Sequence, residues 1–171
     1  MTPMLMINGG ALSIGHNQVS NVVFPKDTKM RVSMLVSVKG YNEVCYEANH
    51  RHRPDHGDGG HPLYKNIVVI LRTATDPLLN ANRRDTVILR QEKPGANVGK
   101  VGPQYERSLK VTDCIVPANH FYSFLIMGEW YSHWRSRVGK WPRKKWHDRY
   151  NHHHFNIDMS NIESFNVEVM G

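Results

Sequence analysis

The chain has 171 residues, of which 40% are hydrophobic and 22% charged, and it carries a formal charge of +7 with histidines neutral. These values exclude wholesale disorder, and the length suits one domain, residues 1–171, with its own core and no need of disulfide or metal staples. The expected core runs from about residue 19 to residue 169, with 1–18 as an N-terminal extension. The opening residues have no basic leader, and no run approaches the roughly 18 apolar residues of a membrane span, so no membrane partner is expected.

Period-two patterns dominate along the chain. Lys29–Lys39 reads KMRVSMLVSVK, with Met30, Val32, Met34, Val36 and Val38 on one face, which predicts a half-buried antiparallel strand. The 41–64 stretch predicts a long loop. Asn66–Arg72, NIVVILR, predicts a strand buried on both faces. A short helix is the best reading of Pro77–Arg84, and Thr86–Arg90 predicts another strand. After a long loop at 92–106, Arg107–Val116 alternates Leu109, Val111 and, after a slip, Ile115, ending at Pro117.

Phe121–Trp130, FYSFLIMGEW, is the most apolar run and predicts a strand. A third long loop is expected at 132–153, with a short helix conceivable over 141–150. His154–Met159 and Glu163–Met170 supply the last strands, and Ala11–Ile14 and Val19–Phe24 one or two near the start. Turn chemistry such as PKD at 25–27, TDP at 75–77 and PAN at 117–119 separates these runs. About eight strands with long loops predict an all-β fold, an antiparallel sandwich of jelly-roll type.

Cys45 and Cys114 form no CxxC pair, which excludes a zinc ribbon or a thioredoxin-like motif. Two cysteines in a chain of this length are expected to be free and buried, in keeping with assembly in a reducing compartment. No GxSxG, P-loop, HExxH or strand-associated GxGxxG is present, so nucleophilic catalysis has no sequence support and no enzyme is expected.

The loop ANHRHRPDHGDGGHP (48–62) concentrates His50, His52, His56 and Asp58. His50-x-His52 resembles the HxH of cupins, and His56-x-Asp58 the HxD of a two-histidine, one-carboxylate iron site, with His120 or His133 as a distal ligand. The plainer alternative is a set of solvated loop histidines, so no cofactor is required and a divalent metal remains an option. In the run His152–His154, side chains on a strand alternate, so at most His152 and His154 share a face.

Charge is concentrated. Between His133 and His154 lie seven basic residues (Arg135, Arg137, Lys140, Arg143, Lys144, Lys145, Arg149) and one acid, Asp148, so this stretch holds +6 of the +7. All four tryptophans fall between Trp130 and Trp146. Cations bind phosphates and indoles stack on unpaired bases, so Trp134, Trp141 and Trp146 with those cations suit sequence-tolerant binding of single-stranded RNA or DNA. Tryptophan and arginine are also common at subunit interfaces, so a neighbouring copy is an alternative partner.

From about Val19 to Val169 the order of strands and long loops resembles the single jelly-roll coat proteins of small icosahedral viruses and satellite viruses. The resemblance implies a homo-oligomeric shell of many copies, location in a virion assembled in a host cell, and a packaged genome contacted by the 134–149 segment. It departs from the family in one respect: many such proteins begin with a basic arm, whereas no Arg or Lys precedes Lys26 here. The rivals from other classes are a small metal-dependent enzyme of cupin or oxygenase type and a single-stranded nucleic-acid-binding module that forms no shell.

Overall fold

The computed structural model describes the backbone of residues 4–7, 10–13, 19–20, 23–51, 61–94, 106–143 and 145–170. Side chains are described for these except at 4–7, 10–13, 46–51, 61–64, 134–138, 146–147 and 149. A first hairpin pairs β1 (Met4–Ile7) with β2 (Gly10–Ser13). β3 (Thr28–Ser37) follows the alternation of its sequence, and Met30, Val32, Met34 and Val36 are all completely buried. Burying side chains of this size contributes roughly 1.5–3 kcal/mol each.

The strand does not run on to Lys39. At Val38 the chain enters α1 (Val38–Arg51), where a loop was expected. The Ser37 hydroxyl accepts a hydrogen bond from the Gly40 N–H at 3.0 Å, which caps the helix N-terminus. Tyr41, Val44 and Cys45 form its inward stripe, and the Tyr41 hydroxyl donates to the Lys65 carbonyl at 2.6 Å. Gly40 is needed for close approach, because a Cβ there would run into the Asn161 carbonyl.

The remaining elements are β4 (His61–Ala74), β5 (Arg84–Gln91), β6 (Arg107–Val116), β7 (Phe121–Val138), β8 (Lys145–Asn156), a 3-10 turn at Met159–Asn161 and β9 (Ser164–Val169). They form two antiparallel sheets with orders β6-β3-β9 and β5-β4-β7-β8. The expected all-β sandwich is therefore present. Two successive connections, β4–β5 and β7–β8, stay within one sheet, and the other four from β3 onward cross between the sheets.

The core lies between the layers. Met30, Val32, Met34, Val36, Phe165 and Val167 from one sheet meet Ile67, Val69, Leu71, Tyr122, Phe124 and Ile126 from the other. On the opposite face of the four-stranded sheet Val68, Ile70 and Leu125 form a second buried cluster, so β4 is buried on both faces as its continuous apolar run implied. Gly128 makes room for the ring of Phe155, its partner in register on β8.

Three further sequence expectations are corrected. Residues 77–84 are not helical: the Asp76 carboxylate accepts the backbone N–H groups of Leu78, Asn80 and Ala81, and Leu79 and Asn82 take positive φ. Strand β6 has no slip: its register with β3 is uninterrupted, with Leu109, Val111 and Ile115 facing outward and Cys114, as expected, buried with Val116. The stretch 132–153 is neither loop nor helix. β7 continues through Val138, turns at 139–143, and returns as β8, so the last-but-one strand starts well before His154 and ends at Asn156.

Candidate functional site

The β7–β8 hairpin is longer than its sheet. Among the described residues, β4 accompanies β7 as far as the His61–His133 pair. Beyond it Trp134 pairs with Arg149, Arg135 with Asp148, Arg137 with Trp146 and Val138 with Lys145, forming a two-stranded ribbon. Its turn carries Lys140, Trp141 and Arg143, held by an Arg143 N–H to Lys140 carbonyl bond of 2.8 Å with a positive φ at Gly139, and contains a cis Trp141–Pro142 bond. Trp141 is 83% exposed, and Lys140, Arg143 and Lys145 are exposed as well.

The residues singled out for nucleic-acid contact, Lys144 aside, thus lie along one hairpin. Lys144 lies outside the described residues, as do the side chains of Trp134, Arg135, Arg137, Trp146 and Arg149. Among the described ion pairs none engages Lys140, Arg143 or Lys145. Exposed cations outside these ion pairs can meet an external anion such as a phosphate.

At the ribbon's root, alternate residues of β7 and β8 share the outer face of the four-stranded sheet. The rings of His133 and Tyr150 stack at 4.4 Å and 8°, and His133 Nε2 lies 2.9 Å from Asp148 Oδ1. Tyr131 contacts Tyr150 and His152, and His152 contacts His154 with ring centroids 4.9 Å apart. This row ends at Glu129, which is completely buried.

Glu129 is the centre of a polar cluster. Its Oε2 lies 3.0 Å from His152 Nε2 and 3.1 Å from His154 Nε2. Its Oε1 accepts from Arg90 Nε at 3.1 Å and from Asn66 Nδ2 at 3.2 Å. Burial by itself pushes the Glu129 carboxyl up, but hydrogen bonds from His152, Arg90, His154 and Asn66 together outweigh it and hold the group down at about 2. A buried carboxylate stays charged only with such partners.

As the alternation of β8 required, His152 and His154 share this face, while His153 stacks on Trp130 at 5.7 Å. Sequence reading missed Glu129, Arg90 and Asn66. The available signal was Glu129 itself, the only charged residue within the ten-residue run FYSFLIMGEW.

The other proposed ligands fare differently. His50 belongs to α1 rather than to a loop, and His52, His56 and Asp58 lie outside the described residues. His120 turns back on its own loop, with Nδ1 2.7 Å from the Ala118 carbonyl. Among the described residues, the metal-type donors that converge are Glu129, His152 and His154, with ligand atoms all within 4.8 Å.

Both cysteines are free. Burial raises the Cys45 thiol and pushes the Cys114 thiol up to about 11, the opposite of what a nucleophile needs. Among the described residues no helix is long and apolar enough to cross a membrane. Comparison with known proteins finds no matching family model, no similar curated protein and no similar solved structure.

Proposed function

We propose that this chain is a coat-type structural protein, many copies of which assemble into an icosahedral shell and grip single-stranded nucleic acid through the β7–β8 ribbon. The observation that carries the reading is the ribbon: a basic two-stranded extension beyond the sandwich, tipped by an indole that is 83% exposed. Lys140, Arg143 and Lys145 attract phosphates and release their counterions. Trp141 offers a flat, solvent-facing surface on which an unpaired base can stack, worth roughly 1–3 kcal/mol. Neither contact reads sequence, which suits packaging of a genome.

Assembly is supported by β6. Leu109, Val111 and Ile115 are 61%, 53% and 61% exposed on the outer face of an edge strand. A row of outward apolar side chains on a sheet edge is a favourable place for a second chain to dock. The same reading makes the protein a virion component with no catalytic role.

Light scattering after size exclusion, with negative-stain microscopy, tests the shell: the expected product is a particle in the megadalton range that carries nucleic acid released by high salt. A monomer or dimer under every condition overturns the shell and leaves a nucleic-acid-binding module. Lys140→Glu, Arg143→Glu and Lys145→Glu together should remove the nucleic acid without unfolding the sandwich. Unchanged nucleic-acid content in that variant overturns the grip.

A further inference from the structure

We infer that Glu129, His152 and His154 form a binding site for one divalent transition-metal ion of the zinc class at the root of the ribbon. Glu129 and His154 are directly opposed in register on β7 and β8, and His152 lies two positions back on the same face. The two imidazoles bring their Nε2 atoms to the same carboxylate oxygen, at 3.0 and 3.1 Å. A metal with bonds of about 2.0–2.2 Å to nitrogen and oxygen spaces neighbouring donors by about 3.0–3.5 Å, so the donors already stand near coordination distance.

The remaining groups hold the set in place. Arg90 and Asn66 engage Oε1, and Arg90 Nη2 reaches Oε2 at 3.5 Å, which fixes the carboxylate plane with Oε2 toward the imidazoles. Hydrogen-bonded outer groups of this kind orient metal ligands. To take a metal, each imidazole presents its Nε2 lone pair and carries its ring proton on Nδ1. The side chains of His152 and His154 are 44% and 29% exposed, so an ion there has an approach path and further positions facing solvent. Two imidazoles and one carboxylate suit zinc, iron, cobalt or nickel and disfavour calcium and magnesium, which take oxygen ligands. Such an ion would clip β7 to β8 where the ribbon leaves its sheet.

The chain has 11 histidines, so total metal uptake does not identify the site. Diethyl pyrocarbonate labelling of the full chain, read by peptide mass spectrometry, resolves the histidines individually. With ZnCl2 the labelling of His152 and His154 should slow at least ten-fold, and with MgCl2 it should not change. In calorimetric titration, His152→Ala/His154→Ala should bind one zinc equivalent fewer than the parent chain. Equal labelling rates with and without zinc overturn the inference, as does a folded double variant that retains every equivalent.

Discussion

Replacing Glu129 by glutamine keeps the side chain's size and removes its charge. The carboxylate is completely buried and ringed by Asn66, Arg90, His152 and His154, and these contacts hold its pKa at about 2, against an ordinary 4.5. At 1.36 kcal/mol per unit that difference favours the folded, charged form by about 3 kcal/mol. The amide of glutamine cannot replace it, because it offers one acceptor and turns its own donors toward groups that donate. Urea denaturation at pH 7 with EDTA present should therefore place Glu129→Gln roughly 3 kcal/mol below the parent chain. The folded pKa lies below the unfolded one, so this stabilisation is complete above about 4.5 and is lost as pH falls toward 2. The gap between parent and variant should shrink by more than half by pH 3. A gap below about 1 kcal/mol at pH 7, or one that does not narrow with acid, would refute the account of Glu129 as a charged hub.

Gly128→Ala should destabilise the fold by about 1–3 kcal/mol in a thermal or urea melt, because its Cβ would collide with the Phe155 ring. Trp141→Ala should leave stability within about 0.5 kcal/mol, since the residue is exposed, yet weaken binding of a single-stranded oligonucleotide about five-fold or more in fluorescence anisotropy. Leu109→Thr, Val111→Thr and Ile115→Thr together should preserve the circular dichroism spectrum while reducing particle size in light scattering. Particles of unchanged size would exclude the outer face of β6 as an assembly contact.

The strands with one buried face and one wet face were legible. In β3 and β9 the alternation follows the pleat, and Met30, Val32, Met34, Val36, Phe165 and Val167 are all buried. The helix was hidden because Val38 continues the period-two run of β3 by one residue. What ends the strand is the Ser37 cap on Gly40, a local hydrogen bond that hydrophobic periodicity does not reveal. In β6 alternation alone does not say which face is buried, because outward apolar residues such as Leu109 and Ile115 look in sequence like inward ones. The ribbon was read as a loop because it leaves the sandwich, so no apolar alternation marks its strands.

At the site, alternation alone paired His152 with His154 and sent His153 to the other face, and both placements hold. The cluster's other members depend on register across β4, β5, β7 and β8, which brings Asn66, Arg90 and Glu129 together from distant parts of the chain. No short motif encodes that convergence.

The central claim is that the basic ribbon grips nucleic acid. Its most direct test is the affinity for a labelled single-stranded oligonucleotide over a range of salt, compared between the parent chain and the variant with Lys140, Arg143 and Lys145 changed to Glu. The variant should bind more weakly, with a slope of log affinity against log salt flatter by about two, the loss of three phosphate contacts at about 0.7 each. Equal affinities and equal slopes would contradict it.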